Sequence, residues 1–183
     1  MGRALAALIA TLALAGPASA RPPVVSLLEM RQAGVVIQKW DLSCGAAALA
    51  TVLRDKFADP VSERDVAIAL MGRKEYLANP EIVRVREGFS LLDLKRFVDA
   101  RGYDGEGLGA MTLADLKDHA GAIVPIDNHG YNHFVVFRAI AGDRVVLADP
   151  AYGNRSMTID RFMSTWLVMP QMGRVAFTVG KKE

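Results

Sequence analysis

Cysteine is nearly absent from this chain: among 183 residues there is one, Cys44, and histidine is almost as scarce, with three. A single thiol cannot close an internal disulfide, so Cys44 is either a small buried hydrophobe or a thiol kept free for chemistry. One cysteine and three histidines also make a poor metal set. On one strand, His129 and His133 would stand about 13 Å apart, and no third ligand lies near them in the sequence. No metal and no cofactor are expected.

Charge of one sign is missing too. Lys and Arg total 22 against 20 Asp and Glu, without a basic cluster. That balance excludes nucleic acid and an anionic membrane surface as expected partners. There is no apolar run of the roughly 20 residues that a membrane-spanning helix needs. A glycine-rich phosphate loop, an internal repeat and a low-complexity tract are also lacking.

The first twenty residues, "MGRALAALIATLALAGPASA", carry one early positive charge, Arg3, an apolar run from Ala4 to Ala15, and the small-residue ending Ala18-Ser19-Ala20. This is the layout of a cleaved export signal. Removing residues 1–20 would leave 163 residues, Arg21 to Glu183, enough for one domain with a sizeable core, and 21 basic against 20 acidic groups. The expected location is the periplasm, with the extracellular space as second choice. No membrane span remains after that cleavage.

Downstream, "VVIQKWDLS" reads as an extended segment, followed by a helix over "CGAAALATVLRDKF" whose small residues allow close packing. Three further helices announce themselves by a capping residue, an acid three positions on and a closing glycine: Ser62, Asp65 and Gly72; Ser90, Asp93 and Gly102; Thr112, Asp115 and Gly121. From "AIVPID" the character changes. "NHFVVFRAI" and "DRVVLADP" are β-rich runs separated by Ala141-Gly142, a hairpin signal. "RSMTI" and "RVAFTV" suit further strands, with "IDRFMSTWLVM" a short helix between them. Helices first and consecutive strands afterwards predict an α+β fold. The mixed-charge segment "RKEYLANPEIVRVREG", Arg73 to Gly88, reads as a surface loop and a place to look for substrate contacts.

A cysteine nucleophile needs a base, a group that orients the base, and donors for the oxyanion. Cys44 stands where the extended segment enters the helix, whose N-terminal partial charge favours a thiolate. Of the three histidines, His119 falls near a helix end, where a solvated cation is usual, and His129 lies in the polar loop "DNHGYNH". His133 starts an apolar strand and is the candidate base, its alternative being a satisfied histidine at a sheet edge. Asp149 ends the next antiparallel strand, so the two strand ends lie side by side. Pro150 is expected to stop the ladder there and expose the Asp, although an Asp-Pro pair is also an ordinary turn. Gln38, six residues before Cys44, is the candidate oxyanion donor together with the Cys44 backbone N–H, or else merely a polar loop residue.

Taken as an ordered set, Gln38, Cys44-Gly45, His133 and Asp149-Pro150 resemble the papain-like cysteine peptidases. The phrases "IQKWDLSCGAAAL", "NHFVVF" and "VVLADPAYG" are similar to the C39 family of bacteriocin-processing double-glycine peptidases. The resemblance runs from about Val35 to about Trp166. It implies a papain-like fold, an N-terminal helical subdomain packed on a C-terminal antiparallel sheet, in one domain over 21–183 with its core at about 35–170. It also implies Cys44 as nucleophile, His133 as base, Asp149 as orienter and Gln38 as oxyanion donor. The implied reaction is cleavage after a Gly-Gly pair in a leader or exported polypeptide, through a Cys44 thioester, with secretion-system components as candidate partners. Members attached to an exporter carry membrane spans and a phosphate-binding loop, so this chain resembles the free-standing exported ones. The alternative is a non-catalytic module of the same fold that holds a peptide for secretion.

Overall fold

A computed structural model describes residues 24–182; the expected export signal, residues 1–20, lies outside the described residues. The helices are α1 (Leu27–Gln32), α2 (Cys44–Phe57), α3 (Glu63–Met71), α4 (Lys74–Ala78), α5 (Glu81–Val85), α6 (Leu91–Ala100), α7 (Leu113–Lys117) and α8 (Ile159–Thr165). The strands are β1 (Tyr103–Leu108), β2 (Ile123–Asp127), β3 (Asn132–Ala141), β4 (Arg144–Asp149), β5 (Gly153–Thr158), β6 (Val168–Met169), β7 (Gly173–Arg174) and β8 (Ala176–Lys181). The capping boxes expected at Ser62, Ser90 and Thr112 all form, and Ser26 with Glu29 makes another on α1. Each hydroxyl accepts from the N3 amide while the N3 carboxylate accepts from the cap's own N–H, satisfying two amides that the helix cannot.

Six strands form an antiparallel sheet in the order β1-β8-β2-β3-β4-β5, and β6 pairs with β7 apart from it. Alternation along the strands splits the apolar side chains between two faces. One face, with Ile123, Val136, Ala148 and Phe177, packs against Leu49, Val52 and Leu53 of α2, Val66 and Leu70 of α3, and Leu94 and Val98 of α6. The other, with Val124, Val135, Phe137 and Leu147, is covered by Leu116 of α7, Phe162 of α8, and Trp166. The helical subdomain against an antiparallel sheet is thus the α+β, papain-like arrangement expected.

Four expectations are corrected. β1 interrupts the predicted helical half and pairs with β8 at the sheet edge. α7 ends at Lys117, short of the expected closing Gly121, while His119 stands near that helix end as expected, its Nδ1 at 2.8 Å from the Asp115 carbonyl oxygen. The segment from Arg73 to Gly88 is not a plain loop: it holds α4 and α5, anchored by the buried Tyr76 and Val83. Finally, Asp149 is fully buried rather than exposed by Pro150. It still pairs with Gly153 on β5, and its carboxylate is drawn inward by three hydrogen-bond donors and the Arg155 charge, described below. Among the described residues no helix is long and apolar enough to cross a membrane.

Candidate active site

α2 runs through the molecule with Cys44 to Leu53 buried without a break. Its small residues permit this, since a bulky side chain at Ala46, Ala47 or Ala48 would have to displace packed neighbours. Gly45 has the same role at the critical end: a Cβ there would stand 3.2 Å from the Phe134 ring. The absent side chain lets the first turn of α2 settle against the start of β3, next to His133.

Cys44 is 2 % and His133 4 % exposed. His133 Nε2 donates to Asp149 Oδ1 at 2.8 Å, and its other nitrogen, Nδ1, is left for the Cys44 side chain, whose hydrogen bond and charge both act on the ring. Burial by itself would push the imidazole down, but the bonds and charges of Asp149 and Cys44 outweigh it and raise His133 to about 9. At neutral pH the ring therefore carries a proton on both nitrogens. Burial likewise opposes the Asp149 charge. The His133 bond, the His133 and Arg155 charges and the Ala151 N–H overcome it and hold the carboxyl below its ordinary range. Asp149 Oδ1 accepts from the amides of Ala151 at 2.8 Å and Tyr152 at 3.3 Å as well. The Asp-Pro turn and the histidine partner are one structure, not alternatives.

The amide end of α2 is unlike that of the boxed helices. Ser43 precedes Cys44 but makes no capping bond; its hydroxyl reaches the Trp40 carbonyl at 2.6 Å and the buried Glu63 carboxylate at 2.5 Å. Glu63 also accepts from the Lys39 amide through both oxygens, at 2.9 and 3.1 Å. With the serine turned away, the first-turn N–H groups of α2, Cys44 included, face the site uncapped. Gln38 reaches the same end: its amide donates to the Pro150 carbonyl at 2.9 Å, fixing it beside the Asp149 turn. Its side-chain Nε2 makes a long 3.3 Å bond to the Trp40 carbonyl, and its buried Oε1 has no partner.

A further strut joins the two halves. Glu87, after α5, accepts from the Asn132 amide beside His133 at 2.9 Å. Gly88, at φ +128°, packs so closely on the Leu42 carbonyl that a Cβ would fall 2.9 Å from it. Tyr131 lies within range of the Cys44 charge; burial first, then Cys44, Glu87 and Asp41, push its hydroxyl up. The structure thus brings Gln38, Cys44, His133 and Asp149 together, while the exposed His129 at φ 61° and His119 stand apart from the triad. Sequence reasoning missed Glu63, Glu87 and Arg155.

Glu63 yields a first expected result. In Glu63→Ala the Ser43 hydroxyl is free to cap α2 and compete for the same amides, so kcat should fall by about tenfold or more with little change in KM. Leaving the Lys39 amide unsatisfied should also cost about 1–3 kcal/mol, read from urea unfolding. Unchanged kcat in a destabilised protein would make Glu63 a purely structural residue.

A profile described as the peptidase C39 family matches residues 32–171. Two relatives carry the name "Probable functional amyloid protease FapD". The one from Pseudomonas aeruginosa is 40% identical over 156 residues, covering 84% of this chain and 66% of that protein. The one from Pseudomonas fluorescens is 36% identical over 167 residues, covering 90% and 71%. The chain therefore spans about two thirds of the length of these relatives. Among solved structures, a double glycine motif protease from an AMS/PCAT transporter, in complex with the leader peptide, superposes with TM-score 0.62 at 21% identity, covering 81% of this chain and 91% of that one. The peptidase domain of Streptococcus ComA also gives 0.62, at 18% identity, with coverage of 81% and 98%. At these identities the two structures speak for the fold.

Proposed function

Since the chain belongs to the peptidase C39 family and is a cysteine peptidase, we propose that it cuts an exported polypeptide after a Gly-Gly pair, with Cys44 as nucleophile. The observation that carries the assignment of Cys44 as nucleophile is the His133 ring held between the Asp149 carboxylate and the Cys44 side chain. The thiol proton rests on His133, and Sγ attacks the scissile carbonyl carbon. The oxyanion accepts from the Cys44 N–H and from Gln38 Nε2, which gives up its long bond to Trp40. His133 protonates the leaving amine, so the C–N bond breaks and a Cys44 thioester remains. His133 then takes a proton from water, whose oxygen attacks the thioester carbon and expels the Cys44 thiolate; the new carboxyl group gives its remaining proton to solvent, which restores the starting state.

Beside the site lies a groove of about 550 Å3, walled by Phe89, Leu91, Leu108, Phe134, Met169 and Met172. Such a wall suits apolar side chains of the substrate, and a cleft too narrow for side chains at Cys44 would select glycine at the cut. The enzyme acts in the periplasm once residues 1–20 are removed. The relatives' name, a probable functional amyloid protease, supports an amyloid-type polypeptide as substrate.

The test uses two peptides, one with Gly-Gly and one with Ala-Ala at the same place, followed by mass spectrometry. A single cut after the second glycine is expected, and at least about tenfold slower cleavage of the Ala-Ala peptide. Equal rates on both would overturn the glycine specificity.

A further inference from the structure

The reaction above uses one carboxylate oxygen of Asp149, yet both are occupied. Oδ1 takes His133 and the turn amides, whereas Oδ2 faces Nη2 of Arg155 at 2.6 Å. Arg155 stands on β5 opposite Leu147, two positions from the Gly153 that pairs with Asp149. Its guanidinium lies over the Tyr152 ring, 5.0 Å from the centroid. Nε and Nη2 are buried and make no directional hydrogen bond. The contact with Asp149 therefore acts as charge on charge, in a place where water screens little.

We propose that Arg155 is a positioning residue for the peptidase: by neutralising the far oxygen of Asp149 it sets the pH at which His133 gives up its proton. The idea rests on the role proposed above for His133. A carboxylate shared between two cations stabilises each less than it would stabilise one alone. Arg155 keeps Asp149 ionised despite full burial, and it also keeps that charge from gripping the imidazolium so tightly that the proton cannot reach the leaving amine or return from water. The charged and titratable groups that face the pair are Cys44 from α2, Asp149 from β4 and Arg155 from β5. Tyr131, Glu87 and Asp41 stand on the Cys44 side. The cations that act most strongly on Asp149 are His133 and Arg155.

The full chain, carrying 13C-labelled histidine, would be titrated by NMR from about pH 5 to about pH 11, with His133→Ala assigning its resonance. This readout is a proton equilibrium, not turnover, so it can fail or succeed independently of the Gly-Gly reading. In Arg155→Met the His133 midpoint should rise by about one pH unit, and in Arg155→Lys it should stay within about 0.3 of the wild type. Arg155→Gln, polar but uncharged, should repeat the methionine result. An unmoved midpoint in both neutral variants, or an equal rise in the lysine variant, would overturn the proposal. So would unfolding of both neutral variants, which would assign Arg155 to the stability of the β4–β5 pair.

Discussion

Cys44→Ala should abolish peptide hydrolysis, by about four to six orders of magnitude in kcat, while the protein stays folded. The two halves of that statement have separate causes. The loss of rate follows because, among the described residues, the side chains bonded to His133 are those of Asp149 and Cys44: the chain has no second cysteine, and Ser43 has its hydroxyl committed to Trp40 and Glu63. Retention of fold follows because the change removes one sulfur from a wall built of alanine and glycine, at a cost of about 1 kcal/mol. An internal reporter accompanies it. Part of the rise of His133 to about 9 comes from the Cys44 bond and charge, so the His133 midpoint should fall in the variant. Hydrolysis surviving in Cys44→Ala would end the nucleophile assignment. Survival of every secretion phenotype without hydrolysis would favour the non-catalytic peptide-holding role.

What could be read from the sequence was local in origin. The boxes at Ser62, Ser90 and Thr112 are formed by side chains three residues apart, and the β3–β4 hairpin by neighbours along the chain. The helix from Cys44 to Phe57 was legible because its composition leaves few alternatives. β1 escaped notice because an edge strand with Gly105 and Gly107, and one buried position, shows no alternation of apolar and polar residues. α4 and α5 are too short for a helical period to register. Glu63 was hidden by its address: an acid in the first turn of a helix is usual for dipole reasons. Only the fold shows its carboxylate turned inward to the Lys39–Ser43 turn. Arg155 and Glu87 were invisible because each acts on an element other than its own, Arg155 on Asp149 of β4 and Glu87 on the Asn132 amide at the start of β3.

Asp149→Ala should lower kcat by about two to four orders of magnitude and, more tellingly, change how activity and stability depend on pH. With the carboxylate gone, burial of His133 is opposed only by Cys44, so the ring loses its proton at lower pH. The basic limb of kcat/KM, expected near 9 in the wild type, should drop by more than about one unit. The stability difference between the two proteins has a calculable shape. His133 is raised in the folded state, so its share is complete below the unfolded value of about 6.5 and is lost as pH climbs through about 9. Asp149 is lowered, so its share is present above about 3.9 and disappears only as pH falls through its folded value. Thermal unfolding across pH should therefore show the widest gap between about pH 4 and about pH 6.5, narrowing toward alkali. A gap that stays constant through about pH 9 would mean that the carboxylate holds the turn at Ala151 and Tyr152 but does not hold the His133 proton. Removing Asp149 lowers the His133 midpoint and removing Arg155 raises it. The opposite signs follow from one carboxylate shared between two cations, an arrangement that neither variant alone would reveal.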